Sequence, residues 1–226
     1  MPDLYVHHRL TCAPRQWQVV AEKLKAGGAE RLATAGGMLY GVWRSQIGTP
    51  RDELNVITAW PDRDAAPEAA RLLTEGVADI REQASGAMVP TLRPERGESG
   101  QIEPPRRQGN FAFRWFDTPA EHWDEFLSLC AAAWPGFEAA YDSQVIGLWR
   151  FLARDDGQNP DTLRRSLLLT RRPDLAMWER SKLPATEAEA EVRRQLSRRY
   201  DLCEWTMVYT TTLLTAEDRK DDARWA

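Results

Sequence analysis

The tetrapeptide Gly-x-Trp-Arg occurs twice, in "YGVWRSQIGTP" from Tyr40 and in "IGLWRFLARDDG" from Ile146, with the glycines 147 − 41 = 106 residues apart. The flanks show that the recurrence is more than four letters. At this offset "RLTCAPRQWQVVAEKL" (9–24) lies over "WFDTPAEHWDEFLSLC" (115–130), with Trp17 on Trp123, Val20 on Phe126 and Leu24 on Cys130. That is one helical face written twice. Each half then reads in one order. A strand ("LYVHHRL"; "NFAFRWF") precedes a helix opened by Pro14 or by Thr118-Pro119, and the Gly-x-Trp-Arg strand follows. A third strand ending in Pro-Asp ("LNVITAW"; "SLLLTRR"), a second helix and a fourth strand ("AMVPTLR"; "EWTMVYTTTLL") complete it. Strand–helix–strand–strand–helix–strand is the ferredoxin-like unit. Such a sheet carries both helices on one face and leaves the other apolar face bare, so it needs a cover. Two units in one chain can cover each other. The fold class expected is α+β: two tandem ferredoxin-like (βαββαβ) repeats forming a pseudo-dimeric α/β barrel.

Residues 93–109, "RPERGESGQIEPPRRQG", are rich in Pro, Gly and charge without hydrophobic period and read as a linker. The expected organisation is therefore a first repeat over 1–92, a second over 110–215, and a charged tail over 216–226.

Within this frame the first half resembles the NIPSNAP family. The pattern is Gly-x-Trp, a few polar residues, Ile-Gly, then Leu-Asn and a hydrophobic strand closing on Trp, matched by Gly41, Trp43, Ile47, Gly48, Leu54, Asn55 and Trp60. The second half keeps Gly147, Trp149 and a "DLAMWERS" stretch. It departs in "DDGQNPDTLRRS" and in Arg172, which stands where the pattern closes on Trp. The resemblance implies the dimeric α/β barrel, a class that includes antibiotic-biosynthesis monooxygenase-like and chlorite-dismutase-like proteins. It brings no agreed catalytic residues, and one fold hosts many functions.

Ten tryptophans in 226 residues exceed what a small core ordinarily uses, so an apolar cavity accepting a small hydrophobic or aromatic molecule is expected. By strand alternation, Tyr5, His7, Phe111 and Phe113 are expected under the helices, while His8 and Arg114 look into the barrel. There His8 and Arg114 are the candidate catalytic groups, suited to hold an anion or polarise a carbonyl. Trp43 and Trp149, at equivalent strand positions, are candidate cavity walls, and Asn55 at the start of the third strand is a candidate ligand contact. A cofactor-independent monooxygenase, isomerase or cyclase of the barrel class is the alternative to simple binding.

Several classes are disfavoured. A net charge of −4 gives no basic face for nucleic acid. No apolar run approaches the ~20 residues that span a bilayer. Three dispersed cysteines and three histidines without ligand spacing give no disulfide framework and no metal site. No cofactor is expected; haem on a single axial histidine is the one alternative. Phosphate loops and nucleophile elbows are absent. The opening "MPDLYVHHRLT" has no secretory pattern, so a cytoplasmic protein is expected, with the outer surfaces free to form a homo-oligomer.

Overall fold

The computed structural model describes residues 4–61, 64–78, 80–92, 103–153 and 156–219. Residues 93–102 of the expected linker and 220–226 of the expected tail lie outside the described residues. The first repeat contains β1 (Leu4–Cys12), α1 (Trp17–Lys23), α2 (Ala29–Thr34), β2 (Met38–Ile47), β3 (Glu53–Trp60), α3 (Ala69–Thr74) and β4 (Ile80–Leu92). The second contains β5 (Asn110–Pro119), α4 (Trp123–Tyr141), β6 (Gln144–Phe151), β7 (Leu163–Arg172), α5 (Leu175–Arg180), α6 (Glu187–Asp201) and β8 (Trp205–Leu213). The strands hydrogen-bond in a closed barrel, β1-β3-β2-β8-β5-β7-β6-β4. Reading it as β4-β1-β3-β2 followed by β8-β5-β7-β6 gives the ferredoxin-like order twice. Closure removes every sheet edge, which is how an all-antiparallel sheet of this size avoids unpaired backbone groups.

Two compact units result: described residues up to 89 with 103–108 and 210–219, and described residues 90–92 and 109–209. The boundaries between the units fall near the end of β4 and within β8. The reason is the pairing of closing strands. The last residues of β8, from Thr210 to Leu213, lie along β2, and Thr91 near the end of β4 donates its hydroxyl to the carbonyl of Leu148 in β6 at 3.0 Å.

The repeated tetrapeptide has a structural cause. The ladder to the neighbouring strand is bulged between Leu39 and Gly41 in one unit and between Val145 and Gly147 in the other, so each glycine sits at the irregular rung. In β2 the ring of Trp43 lies back over Gly41, where a Cβ would come within 2.4 Å of it. In this copy Gly-x-Trp is thus a ring stacked on bare backbone.

Which sheet face meets the helices is the reverse of the expectation. In the second unit Phe116 of β5 packs with Trp123, Phe126, Cys130 and Trp134 of α4, so Ala112 and Arg114, four and two residues earlier, share the helix side. Phe113 instead stacks on Tyr209 at 5.4 Å, and Trp115 on Phe151 at 5.0 Å, on the other face. In the first unit the guanidinium of Arg44 lies 4.1 Å from the ring of Trp17 in α1. Arg44 faces Leu54, and Leu54 faces Leu10, which puts His8 and Val6 on the helix side and Tyr5 and His7 on the opposite face. Both faces are apolar here, so alternation separates the two sets without saying which set the helices cover.

A second difference concerns Thr118-Pro119, expected to start the helix. β5 runs through Pro119, a 3₁₀ turn follows at Ala120–His122, and α4 begins at Trp123. Thr118 is fully buried with its hydroxyl 3.4 Å from the sulfur of Cys203. True side-chain caps occur later, where Asp174 accepts from the Met177 N–H at 2.7 Å and Thr186 from that of Glu189 at 3.2 Å.

Candidate functional site

The expected site residues separate into three places. Trp43 and Asn55 are direct cross-strand partners on the first unit's face away from its helices, and His7 joins them. His7 Nε2–H donates to Asn55 Oδ1 at 3.0 Å. Asn55 is thus a rung of a buried sheet face. Burial holds the His7 imidazole neutral, lowering its pKa from 6.5 to about 3 against the opposing bond to Asn55. Trp149 is fully buried on the corresponding face of the second unit, next to Leu148, which belongs to the helix-side core. His8 lies under the first unit's helices, its Nε2 3.4 Å from Thr58 Oγ1, which also accepts from Trp60 Nε1 at 2.9 Å.

Arg114 opens on a cavity. Between the second unit's sheet and its helices lies a pocket of about 330 Å³, at the lower end of the range for small-molecule sites. Its apolar walls are Trp134 and Phe137 of α4, Leu168 of β7, Trp178 of α5 and Leu196 of α6. Five cationic side chains also line it, Arg114, Arg172, Lys182, Arg193 and Arg199, and no carboxylate does among the described residues.

Three of these cations, Arg172 and Arg199 buried and Arg114 partly so, have no acidic partner among the described residues. Arg114 gives Nη1–H to the hydroxyl of Tyr200 in α6. Arg172 lies over the rings of Phe137 and Trp178, 4.9 Å from each, and gives one hydrogen bond, to Thr170 Oγ1 at 3.3 Å. Arg199 stacks 4.7 Å from Phe116 and reaches the sulfur of Cys130 at 3.5 Å. The Nε atoms of Arg172 and Arg199 are buried without a hydrogen-bond partner. A guanidinium carries five N–H donors and keeps its charge at neutral pH, so most of this donor capacity is unspent. Burial lowers the pKa of Arg114. Burial, then the charge of Arg114, lowers that of Arg172 to about 10.

The local sequence explains how these groups arrive. Arg172 ends β7 on the same side as Thr170 and Leu168. Along α6 the inward positions are Glu189, Val192, Leu196 and Arg199, a 3-4-3 spacing that brings one arginine beneath the helix. α5, which supplies Trp178, is pinned to α6 because Arg180 grips both oxygens of Glu189 at 2.8 and 2.9 Å, while the Ala185 N–H donates to Glu189 at 2.6 Å.

The first unit is closed at the equivalent place. Register aligns Arg114 with His8, Thr170 with Thr58 and Arg172 with Trp60, since Ala112 faces Thr170 as Val6 faces Thr58. There the ring of Trp60 is fully buried and packs so tightly on Gly37 that a Cβ would come within 2.7 Å. The pocket residues absent from the sequence-level candidates are Arg172, Arg199, Tyr200, Trp134 and Trp178. Their signal was the departure itself: arginine where the repeat pattern closes on a buried tryptophan.

No family model matches the chain, and no curated protein matches its sequence. Solved structures do resemble it. An anthrone oxidase-like protein aligns at 16% identity over 95% of this chain and 92% of its own, with a TM-score of 0.62. A protein from Lactobacillus acidophilus, provisionally assigned as a monooxygenase, aligns at 10% identity over 96% and 98%, with a TM-score of 0.59. A haem-binding protein from Thermus thermophilus aligns at 15% identity over 94% and 91%, with a TM-score of 0.51. At these identities the likeness is one of fold, and the fold is the dimeric α/β barrel contained within a single chain.

Proposed function

We propose that this chain binds a small apolar or aromatic molecule in the helix-side pocket of its second unit. One observation carries the reading: an aromatic-walled cavity lined by buried guanidiniums whose hydrogen-bonding capacity the protein itself leaves largely unused. Groups of this kind are costly to bury without a partner. A ligand supplies one. The NIPSNAP resemblance of the sequence accords with binding and adds no reaction.

Haem binding, as in the Thermus thermophilus structure, needs an axial ligand. His7 and His8 lie on β1 of the first unit and His122 in the turn before α4, and no histidine or cysteine lines the pocket. The residues present do not fit a histidine-ligated haem.

A second reading is a cofactor-independent enzyme of the monooxygenase, isomerase or cyclase type; two structural neighbours are named as an anthrone oxidase-like protein and a monooxygenase. The feature favouring it is the pair Arg114 and Arg172, of which the charge of the first lowers the readiness of the second to carry its own, and which together would stabilise an oxyanion developing between them.

The test is a panel of aromatic compounds scored by ligand-dependent stabilisation, which follows RT ln(1 + [L]/Kd). Arg172→Trp, which copies Trp60 and fills the pocket, is the control. Binding to the native chain that the filled variant loses supports the reading; equal stabilisation of both, or of neither, overturns it. Oxygen uptake or product formation by the bound compound selects the second reading.

A further inference from the structure

Resting on the assignment of this pocket as a ligand site, we infer that its ligand is an aromatic or flat apolar acid, whose oxyanion head sits on Arg172 and Arg114 and whose ring body lies along Trp134, Trp178 and Phe137. Three features point there. The first is the charge imbalance: five cations and no carboxylate line the cavity, and Arg114, Arg172 and Arg199 have no ion-pair partner among the described residues. A neutral ligand would leave that field uncompensated; an anion completes it.

The second is geometry. Arg114 and Arg172 stand on one side of the β5–β7 ladder, on rungs four residues apart with Ala112–Thr170 between, and their guanidiniums converge on one ring, 6.0 and 4.9 Å from that of Trp178. Each is held from one flank, Arg114 by the Tyr200 hydroxyl and Arg172 by Thr170 and its two rings. Fixed guanidinium forks of this kind match the planar, two-oxygen geometry of a carboxylate or the oxygens of a phosphate ester.

The third is the wall. Trp178, Trp134 and Phe137 present ring faces and edges to the same space, which selects a flat body over a bare inorganic anion. At the mouth Lys182 is paired with Glu179 at 2.6 Å, while Arg193, exposed, extends positive charge that draws in an anion from solution. The first unit makes none of these provisions, because Trp60 and His8 occupy the rungs of Arg172 and Arg114.

The experiment uses the full chain and four probes: 2-naphthoate, 2-naphthyl phosphate, 2-naphthamide and inorganic phosphate. Binding is followed by tryptophan fluorescence and calorimetry. The expected result is that an acidic naphthyl probe binds at least tenfold more tightly than the uncharged amide. The preference between carboxylate and phosphate ester then reports which head the site takes. Arg172→Met, which removes charge but leaves space, and Arg114→Met as a second variant, should each cost the acid tenfold or more while leaving the amide within about twofold.

Amide binding as tight as the acid's overturns the inference while the pocket reading survives. Inorganic phosphate competing as effectively as the naphthyl acids also overturns it, since the rings would then contribute nothing. No binding by any naphthyl probe, with phosphate silent as well, counts against both the inference and the pocket. Circular dichroism of both variants confirms that a lost signal is not lost fold.

Discussion

Arg172→Met should make the protein more stable, although most core substitutions do the opposite. The fall of the Arg172 pKa from the ordinary arginine range to about 10, at 1.36 kcal/mol per pH unit, corresponds to a cost of about 3 kcal/mol for keeping this side chain charged in the folded state. Against it stand the stacking on Phe137 and Trp178 and the 3.3 Å hydrogen bond to Thr170, together worth roughly 1–2 kcal/mol at these distances. Methionine keeps the length and apolar stem of the arginine and fills the irregular gap beside the rings. The net expectation is a gain of about 1–2 kcal/mol at pH 7, or roughly 2–8 °C in Tm for a chain of this size. The sign follows from linkage: a base with a lowered folded pKa carries its cost wherever it is protonated, so the gain is full below about pH 10 and shrinks above it. Urea unfolding at pH 7, read by fluorescence and circular dichroism together, measures it. A loss of 1 kcal/mol or more would refute the reasoning, because it would mean that the guanidinium is a net structural asset without any ligand.

Two other perturbations probe the rest of the fold. The imidazole of His7, held neutral with a pKa of about 3, stays unprotonated in the folded chain between pH 6.5 and 3 while the unfolded chain takes up a proton; stability should therefore fall on acidification through that window by up to about 1.4 kcal/mol per pH unit, and His7→Gln should flatten this slope in urea titrations from pH 7 to 4.5. Gly41→Ala should cost roughly 1–3 kcal/mol by forcing the Trp43 ring off the backbone it covers. In a double-mutant cycle with Trp43→Leu most of that cost should vanish; additivity would show that the ring is not what requires the glycine.

The architecture was legible because its evidence is periodic and doubled. Trp17 over Trp123, Val20 over Phe126 and the glycines at 41 and 147 each state one element twice, and the barrel follows from the need to cover two apolar sheets. The site was less legible. Alternation along β1 and β5 groups Tyr5 with His7 and Arg114 with Ala112, yet it carries no information about which group meets the helices when both faces are buried. Arg114 was found for its chemistry and given the wrong side. Trp43, Trp149 and Asn55 stand out as matched or motif residues, and the structure buries them fully on sheet faces away from the helices. Arg199 hides in a helix rich in charge, "EAEAEVRRQLSRRY", where only the spacing to Val192 and Leu196 marks it as inward.

Trp60 and Arg172 occupy one rung of a fold made twice, and the exchange divides labour between the copies. The half that keeps the indole is solid at that position and contributes robustness. The half that carries the guanidinium gives up some of its own cohesion and becomes receptive. A single-domain protein would have to hold both demands in one place; this chain distributes them between its two halves.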